Sequence, residues 1–465
     1  MSRTDKTDLG IGRIALAGCA CALATLLLGA PALRAEEVVL EASDGAMNDD
    51  FGQVVALQNG TAAIAAPFRT GAADESGAVY LFARGARAPG VPGAWTEQAT
   101  AVADDAGLQD RLGIWIDVEA DRLVAGAPFY DGLPGNESGA VYSFQRDVPM
   151  MSDWGQEERF EEPTLSGGDF FGGALALDGD TLAVGAIGDG TIAPSAGAAY
   201  VYRREASAWV LEDKLAPLEL QDFAFFGAAV ALEGDTLAVG AYLDDGVAID
   251  AGAVYVFERT PPEIAALGGP SWTQIRILTG SMVQPGDNFG FSVALSGDIL
   301  VVGAPLRDSS PGAGDEIGAI YVFQRDAGGI DNWGEVARRQ VDDAVGAARL
   351  GWSVAIAGDL AVAGAPFDAA GGVGAGAAYA FRRHVGGIDG WSETARLTAE
   401  TPLVGEAFGF NVAVFGVDAL IGAPGDSTVN GRALLLRPAE PDVVFGDGFE
   451  NSDPPDVWTV VGAAP

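Results

Sequence analysis

The sequence predicts an all-β fold, a seven-bladed β-propeller with four-stranded blades, and three observations support this prediction. Short motifs recur seven times along the 465-residue chain, at intervals of 55 to 63 residues. Each repeat contains short apolar stretches separated by glycine and aspartate, a pattern typical of β-strands and turns. The two ends of the chain supply complementary parts of one repeat. Units of this kind cannot bury their faces alone, so they pack on their neighbours in a ring.

The first strand of each repeat opens with an apolar residue followed by glycine. In the fifth repeat this strand, FGFSVALSG, ends at a Gly297-Asp298 tip. Glycine supplies the positive φ that a two-residue hairpin turn needs. The apolar residues of the seven pairs are Phe51, Leu112, Phe171, Phe226, Phe289, Leu350 and Phe408.

Three further strands follow in each repeat. The second ends in Gly-Ala-Pro or a variant, with Ile187 and Tyr242 in place of proline in two repeats. The third reads GAVYVF or a close variant, and its tyrosine is predicted to lie in the core between blades. The fourth begins near a tryptophan in six of the seven repeats. These tryptophans are Trp95, Trp154, Trp209, Trp272, Trp333 and Trp391.

The chain ends are predicted to close the ring. The seventh repeat has no tryptophan strand after its third element at Gly431, and residues 37–41 look like the missing outer strand. An N-terminal strand that completes the last blade removes an open sheet edge. We therefore predict a signal peptide over 1–35, the propeller over 36–437 and a C-terminal extension over 438–465.

Residues 1–35 read as a secretory signal peptide. Three basic residues precede an apolar run over residues 14–28, and small residues then offer a cleavage site. This predicts a secreted protein, with the periplasm or the cell surface as alternatives. Lipidation at Cys19 and an uncleaved anchor are alternatives to cleavage. Both cysteines, Cys19 and Cys21, lie in the run, so the mature chain would have neither disulfides nor thiolate ligands.

Composition excludes several classes of function. The chain has 65 Asp and Glu against 26 Lys and Arg, a formal net charge of −39. Such a surface repels phosphate backbones and anionic lipids, which excludes nucleic-acid binding and polybasic membrane docking. We expect a monomer whose mature chain has no membrane span.

The seven Phe-Gly or Leu-Gly pairs, each followed by Gly-Ala-Pro and a GAVYVF strand or variants of them, resemble the FG-GAP repeats of the integrin α-chain N-terminal propeller. The resemblance covers residues 37–437 and implies a propeller that binds ligands or mediates adhesion. Leu112 and Leu350 depart from the pattern, and we expect the nearby Trp115 and Trp352 to restore the lost aromatic volume.

In the integrin family several blades also hold Ca²⁺ in a hairpin between the first two strands, and that hairpin is absent here. Each tip has at most two carboxylates, whereas a Ca²⁺ cage takes 6–8 oxygens. We therefore predict that the tips are ordinary turns. They are residues 58–60, 119–121, 178–180, 233–235, 296–298, 357–359 and 416–418.

Acidic clusters in the loops between the second and third strands are the remaining candidates for Ca²⁺. The alternative, which we favour, is that they are solvated loop tips that keep the protein soluble. We therefore assign no metal ligand and no cofactor. The clusters are Asp74 and Glu75; Asp244, Asp245 and Asp250; and Asp308, Asp315 and Glu316.

A second acidic set precedes the Phe-Gly pairs near one position in several repeats. This recurrence suggests a structural role, in which the carboxylates accept hydrogen bonds from loop backbone amides. The set comprises Asp49, Asp50, Asp169, Asp222 and Asp287.

Candidates for catalysis are few. His384 is the only histidine and lies in a basic segment after a strand, a poor setting for a catalytic triad. With one histidine and no mature cysteine, the usual Zn²⁺ sites cannot form. Paired carboxylates could hydrolyse glycosides, but spacing selects no pair among so many acids. We assign no catalytic residue.

We predict a secreted, non-catalytic binding or adhesion propeller that presents loops to a protein or glycan ligand. The alternative is an extracellular hydrolase or lyase that acts on polysaccharide through carboxylates around the channel mouth. The C-terminal extension contains FGDGFE at residues 445–450, which resembles a short C-terminal tag; a tail packed on the last blade is the other interpretation.

Overall fold

The structure is a computed structural model that describes residues 37–438, apart from 86–93, 133–135, 148–152, 207, 262–270, 342–343, 386, 388–389 and 426–427. The predicted signal peptide and residues 439–465 lie outside the described residues, so the predictions made for them stay predictions. Among the described residues, no helix is long and apolar enough to cross a membrane.

The described residues form seven four-stranded antiparallel sheets, each of which is one blade of a propeller. This confirms the predicted all-β, seven-bladed fold. The first strands are β2 (Val55–Gln58), β6 (Trp115–Glu119), β10 (Phe171–Asp178), β14 (Phe226–Glu233), β18 (Ser292–Ser296), β22 (Ser353–Ala357) and β26 (Val412–Phe415). The second strands are β3 (Thr61–Ala66), β7 (Arg122–Ala127), β11 (Thr181–Ala186), β15 (Thr236–Ala241), β19 (Ile299–Ala304), β23 (Leu360–Ala365) and β27 (Asp418–Ala423).

Two further strands complete each blade. The third strands are β4 (Ala78–Arg84), β8 (Ala140–Arg146), β12 (Ala198–Glu205), β16 (Ala253–Arg259), β20 (Ala319–Gln324), β24 (Ala377–Arg383) and β28 (Arg432–Leu436). The outer strands are β5 (Trp95–Ala101), β9 (Trp154–Phe160), β13 (Ala208–Leu215), β17 (Trp272–Leu278), β21 (Gly334–Arg339), β25 (Trp391–Leu397) and β1 (Val38–Leu40).

The N-terminal strand closes the ring as predicted. Strand β1 pairs antiparallel with β28, and Val38 lies opposite Leu435 while Leu40 lies opposite Ala433. Leu40 is buried in the core of the last and first blades. The strand therefore covers an edge that would otherwise present unpaired backbone groups.

Two recurring glycines let neighbouring blades approach each other. A Cβ added to Gly126, in a Gly-Ala-Pro signature, would lie 1.9 Å from the carbonyl oxygen of Gly172 in the next blade. A Cβ added to Gly139, at the start of a GAVYSF strand, would lie 2.1 Å from the carbonyl oxygen of Phe171. The Phe-Gly, Gly-Ala-Pro and GAVYVF motifs thus recur together because they form one inter-blade contact.

The residue before each Phe-Gly or Leu-Gly pair has a left-handed backbone, with φ between 54° and 56° in all seven repeats. This conformation is uncommon for residues other than glycine. It turns the chain from the inter-blade loop into the first strand. The sequence did not predict it, because the seven residues share no side-chain chemistry. They are Asp50, Arg111, Phe170, Phe225, Asn288, Arg349 and Ala407.

Candidate functional site

The first strands of all seven blades line one central cavity of about 560 Å³. This volume lies within the range of small-molecule binding sites. One end of the cavity opens on the face that carries the Phe-Gly and Gly-Ala-Pro motifs, which we call the loop face. The opposite face carries the tips between first and second strands, and we call it the hairpin face.

An arc of seven aromatic side chains, which we call the aromatic belt, lies on the loop face around part of the cavity mouth. The belt comprises Phe223, Phe225, Tyr242, Phe291, Trp352, Phe367 and Phe410. Consecutive ring centroids are 4.9 to 6.4 Å apart. Phe223 is 55% exposed and Phe367 38%, and the other five are half-buried. Four of these rings line the cavity itself: Tyr242, Phe291, Trp352 and Phe410.

Three of the seven belt residues are the residue after the Phe-Gly or Leu-Gly pair in three consecutive blades. Phe291, Trp352 and Phe410 occupy this position in the fifth, sixth and seventh repeats. Trp352 contacts Phe291, Phe367 and Phe410. It lies in the belt, and so does not restore core volume beside Leu350 as we expected. Trp115 lines the same cavity and is half-buried.

Most polar side chains of the cavity wall are bonded to backbone groups. Ser292 and Ser353 donate to the carbonyl oxygens of Gly351 and Gly409, at 2.8 and 3.2 Å. The side-chain oxygen of Asn411 accepts the amide of Val55 at 3.1 Å. These bonds join neighbouring blades along the wall of the cavity.

Asp117 is the one carboxylate among the described residues that line the cavity. Its two oxygens accept the backbone amides of Val118 and Leu177, each at 2.8 Å, and Leu177 belongs to the next blade. Burial raises the pKa of Asp117 to about 7, although both hydrogen bonds favour the charged form. The sequence did not indicate a role for Asp117, because it is a single acid between the apolar residues Ile116 and Val118.

Four other polar groups of the cavity wall have no hydrogen-bond partner in the described part of the chain. The side-chain oxygen of Gln53 is buried without a partner. Trp115 and Trp352 each present a ring N–H, and Tyr242 a hydroxyl. All four residues are half-buried and belong to different blades. A ligand in the cavity would therefore meet neutral donors and acceptors next to aromatic rings.

The acids of the clusters predicted as Ca²⁺ candidates are bonded to groups of their own blade or to an arginine just before the first strand of the next blade. Asp308 accepts the amides of Gly314 and Asp315 at 2.9 Å, and these backbone bonds lower its pKa. Asp315 accepts the amide of Ser309 at 2.8 Å. Glu316 pairs with Arg349 at 2.7 Å.

The other two clusters follow the same rule. Asp244 accepts the amide of Gly246 and the hydroxyl of Tyr255, at 2.7 and 2.8 Å. Asp245 accepts the amide of Asp250 at 2.7 Å. Asp74 accepts the hydroxyl of Thr70 at 3.0 Å, and Glu75 pairs with Arg111 at 2.7 Å. Across the described residues, no group of three or more His, Cys, Asp or Glu side chains could hold a metal ion.

Three of the five acids before the Phe-Gly pairs accept loop amides as predicted, and Asp50 and Asp222 do not. Asp49, Asp169 and Asp287 each accept the amide three residues earlier, at 2.7 to 2.8 Å. Asp222 does not share this position, because it lies four residues before Phe226 and is exposed. Burial raises the pKa of Asp50 to about 6, and Asp49 adds to this shift. Asp110 and Glu406, which were not predicted, occupy the same position and also accept the amide three residues earlier.

The tyrosines of the third strands are buried, as predicted for the inter-blade core. Five of them donate their hydroxyl to an aspartate at 2.6 to 3.0 Å. The exception is Tyr321, whose hydroxyl is buried without a partner. In that blade Arg307 pairs with Asp287 at 2.7 Å, and both side chains are buried. These tyrosines therefore do not form a surface for stacking sugars.

The hairpin face is joined by hydrogen bonds that run from blade to blade. The last side chain of a first strand accepts an amide at the tip of the next blade. The carboxylate of Glu119 accepts the backbone amide of Gly179 at 2.5 Å, and that of Glu233 accepts the backbone amide of Gly297 at 2.6 Å. Gln58, Asp178 and Ser296 make the same bond. The sixth and seventh blades do not make this hydrogen bond to the next blade, because the side chains of Ala357 and Phe415 have no acceptor atom.

The aspartates of these tips pair with arginines at the ends of the third strands. Asp235 lies 3.0 Å from Arg259 and Asp298 lies 3.3 Å from Arg325. The tip acids therefore belong to the scaffold, consistent with the prediction that they are turn residues. His384, the predicted surface histidine, has a left-handed backbone just after β24 and lies outside the cavity wall.

Comparison with known proteins identifies the repeats. A comparison with curated proteins finds no match. The FG-GAP repeat family matches at residues 35–82, 95–144, 154–202, 209–257, 272–323, 333–381 and 391–434. Each matched segment begins with an outer strand and continues into the first three strands of the next blade. The chain therefore belongs to the FG-GAP repeat family, as a seven-bladed propeller whose first matched segment supplies the closing strand.

Proposed function

We propose that this chain is an exported, non-catalytic binding or adhesion propeller that presents its loop face to a protein or glycan ligand. The proposal rests on one observation above all, the cavity of about 560 Å³ whose mouth is bordered by partly exposed aromatic rings. Exposed apolar patches of this kind mark interaction sites in soluble proteins. The loops and the cavity open on the same face, so one ligand could contact both.

The bonding of the carboxylates supports binding over hydrolysis. Glycoside hydrolysis uses two carboxylates, one as an acid and the other as nucleophile or base. Asp117 is the one carboxylate among the described cavity-lining residues, and both its oxygens accept backbone amides. The loop acids Asp244, Asp308 and Asp315 are likewise occupied by hydrogen bonds. The hydrogen bonds of these carboxylates therefore support the binding hypothesis more than the hydrolase or lyase hypothesis.

Export is proposed from the first 35 residues, whose basic start, apolar run and small residues are typical of a signal peptide. Expression of the full chain in a bacterial host tests this part. We expect a product that has lost about 35 residues by mass and is recovered outside the cytoplasm. A full-length product in the cytoplasm would contradict export, and a lipid-modified Cys19 would place the protein on a membrane.

The binding function is tested with purified residues 36–465 on protein and glycan arrays. We expect a reproducible ligand and no breakdown of it during incubation, as measured by chromatography of the bound glycans. Release of fragments, abolished by Asp117→Asn, would favour the hydrolase or lyase. Absence of any ligand on both arrays would contradict the proposed function.

A further inference from the structure

The aromatic belt offers ring faces to a ligand at the mouth of the cavity. Phe291, Trp352 and Phe410 follow one another along three consecutive blades, with centroid distances of 4.9 and 5.7 Å between neighbours. The equivalent residues of the third and fourth blades are Gly173 and Ala228, which have almost no side chain. The position after the Phe-Gly or Leu-Gly pair therefore carries a ring in the fifth to seventh blades and leaves space in the third and fourth. A flat ligand can lie on the rings and extend over this space.

The unbonded polar groups of the wall define what kind of ligand fits. Gln53, Trp115, Tyr242 and Trp352 present an amide, two ring N–H groups and a hydroxyl, none of which has a partner in the described chain. Only the Gln53 oxygen is buried; the other three groups are accessible to solvent, so a ligand that bonds to them replaces water. That ligand must carry several donors and acceptors together with an apolar face.

The charged groups of the cavity wall further restrict the class of ligand that it can bind. Asp117 is the one charged side chain among the described residues of the wall, and its oxygens are already occupied. The arginine next to the belt, Arg349, is paired with Glu316 at 2.7 Å. No charged group of the described wall is left to neutralise an ionic ligand. The net charge of −39 disfavours an anionic one as well.

We infer that the cavity mouth binds an uncharged saccharide, with a sugar ring stacked on the aromatic belt and its hydroxyl groups bonded to the neutral polar groups of the wall. Sugars combine an apolar C–H face with many hydroxyl groups, which is the combination that this wall presents. The inference rests on the proposed function and specifies its ligand class and its site.

The test measures binding of defined oligosaccharides by isothermal titration calorimetry. The probes are three neutral pentasaccharides, cellopentaose, maltopentaose and chitopentaose, and the acidic pentagalacturonate. The proteins are the wild type, Trp352→Leu, which removes one belt ring, and Tyr242→Phe, which removes one hydroxyl. The matched control is Phe415→Leu, because Phe415 is 43% exposed and ends a first strand on the hairpin face. Thermal melts establish that each variant is folded.

We expect at least one neutral pentasaccharide to bind the wild type and the Phe415→Leu variant equally. Trp352→Leu should weaken this binding about tenfold, the effect of losing one stacking partner. Tyr242→Phe should weaken it about fivefold, as for one lost hydrogen bond. Binding that all variants share would overturn the assigned site but leave the binding function intact.

Two other outcomes would overturn the ligand class. Binding of pentagalacturonate in preference to the neutral sugars would contradict the charge argument. Failure of all four probes, together with a protein ligand found on arrays, would contradict a saccharide ligand while preserving the proposed function. Failure on both kinds of array would contradict the proposed function itself.

Discussion

In three blades an arginine at the end of the third strand lies over the tryptophan at the start of the outer strand. Arg259 lies 4.6 Å from the ring centre of Trp272, and Arg325 lies 5.0 Å from that of Trp333. The same arginines pair with acids of the hairpin tips and of the preceding blade. One arginine thus connects three strands, and the sequence could reveal the tryptophan but not its partner.

Asp117 is expected to make stability depend on pH. Its pKa rises from 3.8, the value of an exposed aspartate, to about 7 in the folded protein, because burial disfavours the charged form. Between these values the folded state holds a proton that the unfolded state has lost, so the free energy of unfolding falls as pH rises from about 4 to about 7. Above that range the contribution of this group is constant.

Comparison of the wild type with Asp117→Asn isolates this effect from that of the other acids. Denaturant unfolding between pH 4 and pH 8 should show the variant gaining stability relative to the wild type as pH rises, with no further change above pH 7. A stability difference that is constant over the whole range would mean that Asp117 ionises like an ordinary surface acid.

The buried pair of Arg307 and Asp287 supports a second prediction. Their side chains are 6% and 4% exposed, and the two groups lie 2.7 Å apart. Arg307→Met removes one partner and leaves a buried carboxylate without its counter-charge, which costs about 3–5 kcal/mol. Replacing both residues, with Arg307→Met and Asp287→Asn together, should recover part of this loss. Chemical denaturation measures both effects, and equal stability of wild type and single variant would contradict the role of the pair.

The role of a single residue was predictable where that residue recurs at one fixed position of the repeats, and not elsewhere. Asp49, Asp169 and Asp287 recur two residues before the Phe-Gly pair, and their role as acceptors of loop amides is confirmed. Asp222 looked equivalent but lies two residues out of register. Asp117 occurs in one repeat, and rings follow the Phe-Gly or Leu-Gly pair in only three of the seven repeats, so no signal common to all repeats marked either as a site.

At the scale of elements, the hairpin tips form an incomplete ring of hydrogen bonds. Five first strands end in a side chain that accepts an amide from the next blade, and two end in Ala357 and Phe415, which cannot. Ala357→Glu would place an acceptor opposite the tip at Gly416. One such bond contributes about 0.5–1.5 kcal/mol.

We therefore expect Ala357→Glu to raise the free energy of unfolding and Asp178→Ala to lower it by a similar amount. Equilibrium denaturation measures both changes. Asp180→Ala is a control, since this acid of the same tip is exposed and its arginine partner is 3.7 Å away. If Asp178→Ala and Asp180→Ala lowered the free energy of unfolding equally, the negative charge of the tip, and not the hydrogen bond between blades, would account for the effect.

The closing strand is the element on which the ring depends. Strand β1 spans three residues, yet it pairs with β28 along its whole length and buries Leu40. Deletion of residues 36–42 exposes the edge of β28 and part of the core. The expected result is a sharp fall in melting temperature, and an unchanged melting curve would contradict closure by this strand. The strand was predictable because the seventh repeat lacked its fourth element.

At the scale of the whole molecule, the fold was predictable because seven repeats must share one geometry. The contacts between blades use glycine where no side chain fits, and such positions are visible in the sequence as motifs. The site was not predictable, because a central cavity is formed by residues from all seven blades that are far apart in the chain. Its chemistry lies in differences between repeats, such as Gly173, Phe291 and Trp352 at equivalent positions.

Binding of Ca²⁺ can be tested directly, because several blades of the integrin propeller that these repeats resemble hold this ion. The loop carboxylates here accept backbone amides that would otherwise need another partner, as Asp308 and Asp315 do. Binding of an ion would require these bonds to break, so we expect the same melting temperature in EDTA and in millimolar Ca²⁺.

An ion bound at a hundredfold excess over its Kd stabilises a protein by about 2.7 kcal/mol, which a thermal melt detects. The same melt in Mg²⁺ distinguishes specific binding from screening of the net charge of −39, since screening raises stability with either ion. A rise with Ca²⁺ alone, lost in Asp308→Asn, would place a metal in the acidic loop of the fifth blade. The loop amides would then have to rearrange, and ligand binding at the nearby mouth would depend on calcium.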